Sequence, residues 1–260
     1  MIPVQIITDC FDGNAAMRQS LRLASFGFQP LPVVPVGSDL EATGQLIDAL
    51  DASLGRPSVI IANVAPRQGQ AKKWPNGTPF GYFYRDQTLV VATIDGLTLS
   101  LVKKLQLVET YNQLDLPQVI EAMVQCGKLS SAEGQRLVKT QFRSFEFATR
   151  VSYWLFQGIE LASTIVSLAE VSEAPKGIWW EDNFGNLKTT LKPDEVNGHQ
   201  YVNDIPFILH SRLKDVPDKE LALVEGSSGI GNQRLMELVV QGGSAATKLN
   251  LQAGSLIELS

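Results

Sequence analysis

The sequence predicts an α/β fold: an N-terminal three-layer α/β domain over residues 1–172, then a small all-β domain over residues 176–260. Two observations predict it. Apolar strand candidates alternate with helical stretches through the first half, which is how a sheet covered by helices on both faces is encoded. After Glu173-Ala174-Pro175 the alternation gives way to short strand candidates separated by turn residues, the texture of an all-β unit.

The elements follow in order. Residues 4–8, VQIIT, read as a strand, followed by a helix over about 14–25. The proline-rich run 30–36 is extended, and Asp39 is placed to cap a helix running to about Leu50. SVIIANV at 58–64 is apolar without alternation, as a parallel strand buried on both faces requires. Residues 66–79 hold Pro, Gly and cations without periodicity and predict a loop. FYRDQTLVVATI at 83–94 predicts a hairpin, LQLVET at 105–110 a strand, and 117–168 two or three helices. In the second half GIWWED, NLKTTL, PFILHS, ELALVEG, RLMELVV and SLIEL are the strand candidates. Trp179 is expected in the core and Trp180 at an interface.

The 260 residues suffice for a sizeable core, and a formal net charge of −5 gives no general pull toward nucleic acid or an anionic membrane. No apolar run is long enough to span a bilayer, and MIPVQIITDC lacks the form of a signal peptide. Cys10 and Cys126 stand apart and read as reduced thiols, so a cytoplasmic location is expected. With only His199 and His210 available, no metal site is expected.

Residues 181–191 read EDNFGNLKTTL. Alone, this is a β-hairpin, with Gly-Asn as an ordinary type I′ turn. Read with EGSSG (225–229) and QGGSAATKLNLQAGSLIEL (241–259), it resembles the C-terminal domain of the S-adenosyl-L-methionine hydroxide adenosyltransferase family, which includes the fluorinase and chlorinase enzymes. IITD (6–9), VAPRQGQAKK (64–73), DGLTLS (95–100) and FRSFE (142–146) fall along family motifs in the same order. The resemblance implies an α/β domain followed by a β-barrel domain, a homotrimer with the ligand between subunits, and S-adenosylmethionine as substrate or ligand with no separate cofactor. Adenosine and methionine would be the products of water attack.

Carried over residue by residue, the resemblance assigns ligand contacts to Asp9, Phe142, Ser144, Asp182, Phe184, Asn186, Leu213 and Ser228. Asp9, at the carboxyl end of a buried strand, suits ribose hydroxyls, as the resemblance implies; read alone it is a cap of the following helix. Asn186 suits an adenine edge or a ligand carboxylate, with Gly185 letting the backbone approach. Leu213 stands where the family has an aromatic over the adenine ring, which forfeits stacking of roughly 0.5–1.5 kcal/mol. Ser244 reads as the cap of the last helix. The insert IGNQR (230–234) is longer than the family pattern.

The family's water-activating Asp, Arg and His fall on Ala65, Lys72 and Arg143. Neither Ala nor Arg serves as a general base near neutral pH. Ser144 matches a halide-contacting serine, but Gln68 and Ala65 replace its neighbours. The expected function is therefore a divergent family member that binds S-adenosylmethionine or adenosine, with hydrolysis possible but the triad not retained. The alternatives are a rearranged hydrolase using Glu146 or Asp95 as base, a non-catalytic nucleoside- or anion-binding trimer, and a scaffold holding an anion on the Lys72–Lys73 loop beside Trp74.

Overall fold

The computed structural model describes residues 1–65 and 77–260. Lys72, Lys73, Trp74 and Gln68 lie outside the described residues.

The first unit is built on an eight-stranded sheet. Its strands are β1 (Pro3–Thr8), β2 (Gln29–Pro30), β3 (Val34–Pro35), β4 (Ser58–Asn63), β5 (Phe80–Arg85), β6 (Thr88–Thr93), β7 (Thr110–Leu114) and β8 (Ser163–Ser167). They are ordered β2-β1-β4-β6-β5-β7-β8, with β3 also paired to β1. The pairings of β1 with β2, β3 and β4, and of β4 with β6, are parallel; those of β5 with β6 and β7, and of β7 with β8, are antiparallel.

Strand geometry sends alternate side chains to opposite faces. Ile6, Val59, Ile61, Leu89 and Val91 therefore join one apolar cluster, packed against α1 (Gly13–Ser25), α4 (Leu116–Gln125), α5 (Ser131–Lys139) and α6 (Thr149–Phe156). Ile7, Ile60, Ala62, Val90 and Ala92 join a second cluster with α2 (Asp39–Ser53) and α3 (Ser100–Lys104). The three layers follow from that alternation.

Three local readings change. Ser38 caps α2, its Oγ accepting from Glu41 N at 3.1 Å; Asp39 instead accepts from Leu97 N at 2.8 Å across the edge of the sheet. The strand expected at 105–110 forms at 110–114, because the apolar residues before it close α3 and the second cluster. The expected helical region ends early, and STIVS forms the edge strand β8, whose outward side chains stay in solvent, Ile165 included.

The second unit is all-β. β9 (Ile178–Glu181), β10 (Leu187–Thr189), β13 (Ile208–His210), β14 (Leu221–Ile230) and β15 (Gln233–Val240) form a sheet ordered β13-β14-β15-β10-β9. β11 (Tyr201–Val202) and β12 (Ile205–Pro206) pair separately. A third core of Ile178, Leu187, Leu223, Met236 and Leu238 closes under α7 (Ala245–Leu249). Ser244 Oγ accepts from Thr247 N at 3.0 Å and caps α7. The SLIEL stretch meets the sheet only through the isolated bridges Gly177–Leu256 and Val202–Leu259.

Helix α2 joins the units. Trp179 is buried against it at Gly44, where an added Cβ would lie 2.1 Å from the indole ring. One and two turns on, Lys188 Nζ meets Asp48 Oδ2 at 3.3 Å and Arg234 Nη1 meets Asp51 Oδ2 at 2.9 Å. The 230–234 insert is the β14–β15 turn that makes this dock: Gly231 N donates to Asp51, and Ile230 and Leu235 enter the α2 core.

Candidate functional site

The sheet places its best ligand position at the carboxyl ends of β1 and β4. Chain order reverses there: α1 leads from β1 to β2 on one side, and α2 leads on to β4 on the other, over the opposite face. Diverging loops at such a reversal leave a crevice, and open α/β sheets bind ligands in it.

Asp9 follows β1 at this point, and its Oδ2 accepts from Ala65 N, just after β4, at 3.1 Å. Beneath it Asn63 Nδ2 donates to Thr8 Oγ1 at 3.2 Å, and Val64 N donates to Thr93 Oγ1 at 3.2 Å. Asp9 therefore bridges the crevice and does not cap α1. That cap belongs to Asp12, whose Oδ1 accepts from Asn14 N at 3.0 Å and Ala15 N at 3.1 Å. Burial and the neighbouring Asp12 and Asp9 push the Cys10 thiol up, which disfavours a thiolate nucleophile here. A second clamp holds the rim: Asp39 grips Leu97 N so closely that only glycine fits at Gly96, where φ is +79°. The sequence reading missed Thr8, Asn63 and this clamp; an Asp-Gly pair after a buried strand was the available signal.

Arg143 and Ser144 come from a segment that leaves α5 and enters a π-helical turn over Ser144–Ala148, a form often found at functional sites. Arg143 Nη1 reaches the sheet edge and donates to Gly77 O at 3.0 Å and Thr78 O at 3.2 Å. Its Nε is buried without a partner among the described residues, and burial lowers its pKa. It lines a cavity of about 330 Å³ with Phe80, Asp115 and Phe147. Phe142 turns elsewhere: it is 66% exposed and lines a separate cleft with Arg18 and Arg136. Adjacent in sequence, the two face different spaces. Glu146, a candidate base, is buried and held by Arg136 and Thr140 Oγ1.

The EDNFGNL segment is a hairpin with a wider loop than a type I′ turn. Gly185 alone takes positive φ, +79°, and an added Cβ would strike Ser244 Oγ at 2.2 Å. Asp182 organises the loop: its Oδ1 accepts from Phe184 N at 2.8 Å and Asn186 N at 2.9 Å, and its Oδ2 from Asn186 Nδ2 at 2.9 Å. Burial pushes the Asp182 carboxyl up, but these hydrogen bonds outweigh it and leave its pKa lowered. Gly185 O accepts from Ala246 N at 3.0 Å, fixing the loop to α7. Phe184 remains 71% exposed and Leu213 is 41% exposed.

Ser228 is buried, and its hydroxyl is committed. It donates to Asp48 Oδ2 at 2.9 Å and accepts from Lys188 Nζ at 2.7 Å. The residue serves the dock on α2 and presents no side-chain group to a ligand.

Within one chain the predicted residues therefore fall into separate groups. Asp9 and Ala65 meet at the carboxyl ends of β1 and β4, Arg143 meets the sheet edge, Phe142 faces a cleft, and Asp182, Phe184 and Asn186 form a turn on the second unit. The described residues include no group of three or more His, Cys, Asp or Glu placed to hold a metal, and no helix long and apolar enough to cross a membrane.

No protein-family model matches the chain, and neither does any curated protein. Solved structures do match over nearly full length. An uncharacterized conserved protein from Thermotoga maritima superposes with a TM-score of 0.65 at 17% identity, covering 98% of this chain and 99% of its own. A conserved hypothetical protein from Thermus thermophilus superposes with a TM-score of 0.64 at 21% identity, covering 100% of both chains. At these identities the likeness establishes the fold: a mixed α/β unit followed by all-β sheets.

Proposed function

We propose that this chain is a divergent member of the S-adenosyl-L-methionine hydroxide adenosyltransferase family. It binds an adenosine-containing ligand, S-adenosylmethionine or adenosine, in the β1–β4 crevice. The observation that carries the reading is Asp9, a carboxylate at the point where chain order reverses. A carboxylate there has lone pairs enough to accept from both the Ala65 amide and ribose hydroxyls. Support for a homotrimer comes from the second half of the motif set. The Asp182–Asn186 turn is built independently of the crevice and presents Phe184 to solvent, as a site completed by a neighbouring subunit requires.

Turnover is expected to be absent or close to background. Ala65 has no carboxylate, Arg143 donates to backbone carbonyls, and Glu146 is engaged by Arg136 and Thr140, so none of them is poised to take a proton from water. Losing a positioned acid–base set costs a factor of roughly 10²–10⁴ in rate.

Adenosine or S-adenosylmethionine should raise the melting temperature of the wild-type protein. Binding to the folded state alone stabilises by about 2.7 kcal/mol at a hundredfold excess over Kd. Asp9→Ala should abolish most of that rise. Absence of a shift with either compound at millimolar concentration refutes the reading. Chromatography for adenosine and methionine then tests turnover, and the triple change Ala65→Asp, Lys72→Arg, Arg143→His should raise adenosine output. Robust hydrolysis by the wild type, undiminished in Arg143→Ala, would place the chemistry elsewhere.

A further inference from the structure

The cleft that takes Phe142 is basic in a protein whose net charge is −5. Arg18 and Arg22 lie one turn apart on α1, Arg136 and Lys139 one turn apart on α5, and Arg150 comes from α6. Like charges at such spacing destabilise a helix. Here Arg136 of one pair also lies within electrostatic reach of Arg22 of the other.

The local anions do not balance them. Glu146 is engaged by Arg136 and Thr140, and Glu133 stands 3.9 Å from Arg150 while accepting at Ser130. Three cations, Arg18, Arg136 and Lys139, line the cleft against one carboxylate, Glu146, and Arg22 and Arg150 lie within electrostatic reach of Arg136. Arg18 and Arg22 both crowd the Phe145 ring, at 3.8 and 5.6 Å from its centre, which gathers guanidinium groups at one place. Arg22 Nη1 is buried without a hydrogen-bond partner among the described residues. Burial, then Arg136 and Arg18, lowers the Arg22 pKa, as expected for a cation packed against cations.

Unpartnered buried donors are costly and call for an acceptor. We propose that this cleft, about 710 Å³ and lined by Arg18, Arg136, Lys139, Thr140, Phe142 and Glu146 with Arg22 behind it, binds a phosphate group, free or carried by a small metabolite. The class follows from charge: the lining carries an excess of two positive charges, more than one carboxylate offsets, whereas a phosphate brings up to two negative charges and oxygens that match guanidinium forks. Glu146 borders the anion but is turned into its own ion pair. The site is independent of the nucleoside crevice, and either can fail without the other.

The test is calorimetric titration with inorganic phosphate and separately with glycerol 3-phosphate, which carries no nucleoside, at ionic strength held constant with sodium chloride. Saturable binding of phosphate at low millimolar concentration or tighter is expected. Glycerol 3-phosphate binding much more tightly than phosphate assigns the source to a phosphorylated metabolite, and equal affinity assigns it to free phosphate. Arg18→Gln, in the lining of the cleft, should weaken the phosphate complex about tenfold, the loss of one charge-assisted hydrogen bond. Arg22→Gln should raise the melting temperature of the ligand-free protein, since it removes a cation with a buried, unpartnered nitrogen. Lys139→Gln, at an exposed position that cannot unfold the chain, should weaken binding a few-fold, and the distant Lys214→Gln should not. No saturable binding of either compound, or affinity unchanged in both Arg18→Gln and Lys139→Gln, overturns the proposal.

Discussion

Gly44→Ala is the most direct test of how the two units are joined. In an exposed helix this change gains about 1 kcal/mol from propensity. On α2 the new methyl would lie 2.1, 2.2 and 2.7 Å from three atoms of the Trp179 ring. Ordinary contact begins at 3.4 Å, so the indole must retreat by about 1.3 Å. It has little room to do so, being 1% exposed, and the helix behind it is held by Leu46, Ile47 and Leu50 in the second apolar cluster. Overpacking of this kind costs about 1–3 kcal/mol, and pinning on both sides puts the cost at the upper end. Set against the propensity gain, the net destabilisation is about 2 kcal/mol, a fall of about 4–8 °C in melting temperature for a chain of this size. Scanning calorimetry of the variant measures it. In a Trp179→Leu background the same methyl should become neutral or stabilising, because the obstacle is gone. An unchanged or raised melting temperature in the wild-type background would show that Trp179 does not lie on α2.

Two further outcomes concern the same dock. Glu237 faces Lys188, Asp182 and Asp48, accepts from Ser227 N, and has its pKa raised, chiefly by burial. The folded state therefore holds this proton more tightly than the unfolded state, so stability falls as pH rises from the ordinary glutamate value through the raised one. Glu237→Gln should raise the melting temperature at neutral pH, with the advantage disappearing in acid; no difference at any pH counts against the burial described. Asp51 and Arg234 are only partly exposed, and a double-mutant cycle on Asp51→Asn and Arg234→Gln should return a coupling of about 0.5–1 kcal/mol in urea unfolding. A value near zero would leave the 230–234 turn docked by Ile230 and Leu235 alone.

The layers were legible because the sheet is buried on both faces: SVIIANV can be nothing but a parallel strand once its neighbours are helical. β8 was not, since Ser163, Thr164 and Ser167 are polar and exposed on an edge, and only Ile165 and Val166 hinted at extension. The cap of α2 was misplaced by one residue because Ser38 and Asp39 are both good caps; tertiary contact with Leu97 decided between them. The position of Asp9 at the carboxyl end of β1 was legible, because a strand end is a matter of local pattern. That Phe142 and Arg143 diverge, and that Ser228 is spent on Asp48, depend on a π-turn and on contacts 180 residues apart, which no local pattern encodes. The basic cleft is assembled from three helices, and its residues look ordinary in each of them.

The proline boundary near residue 175 divides the sequence more sharply than it divides the energy. Ala42, Leu46, Ile47 and Leu50 of α2 share one cluster with Ile230 and Leu235, and Trp179 covers Gly44. Chain expressed only to residue 172 would expose that side of α2 to water, and the remaining segment would expose an indole and two aliphatic side chains in return. Each piece would then carry exposed apolar surface at the join, and surface of this kind drives association. Engineering that treats the two halves as exchangeable modules must carry the outer face of α2 along with the sheet it supports.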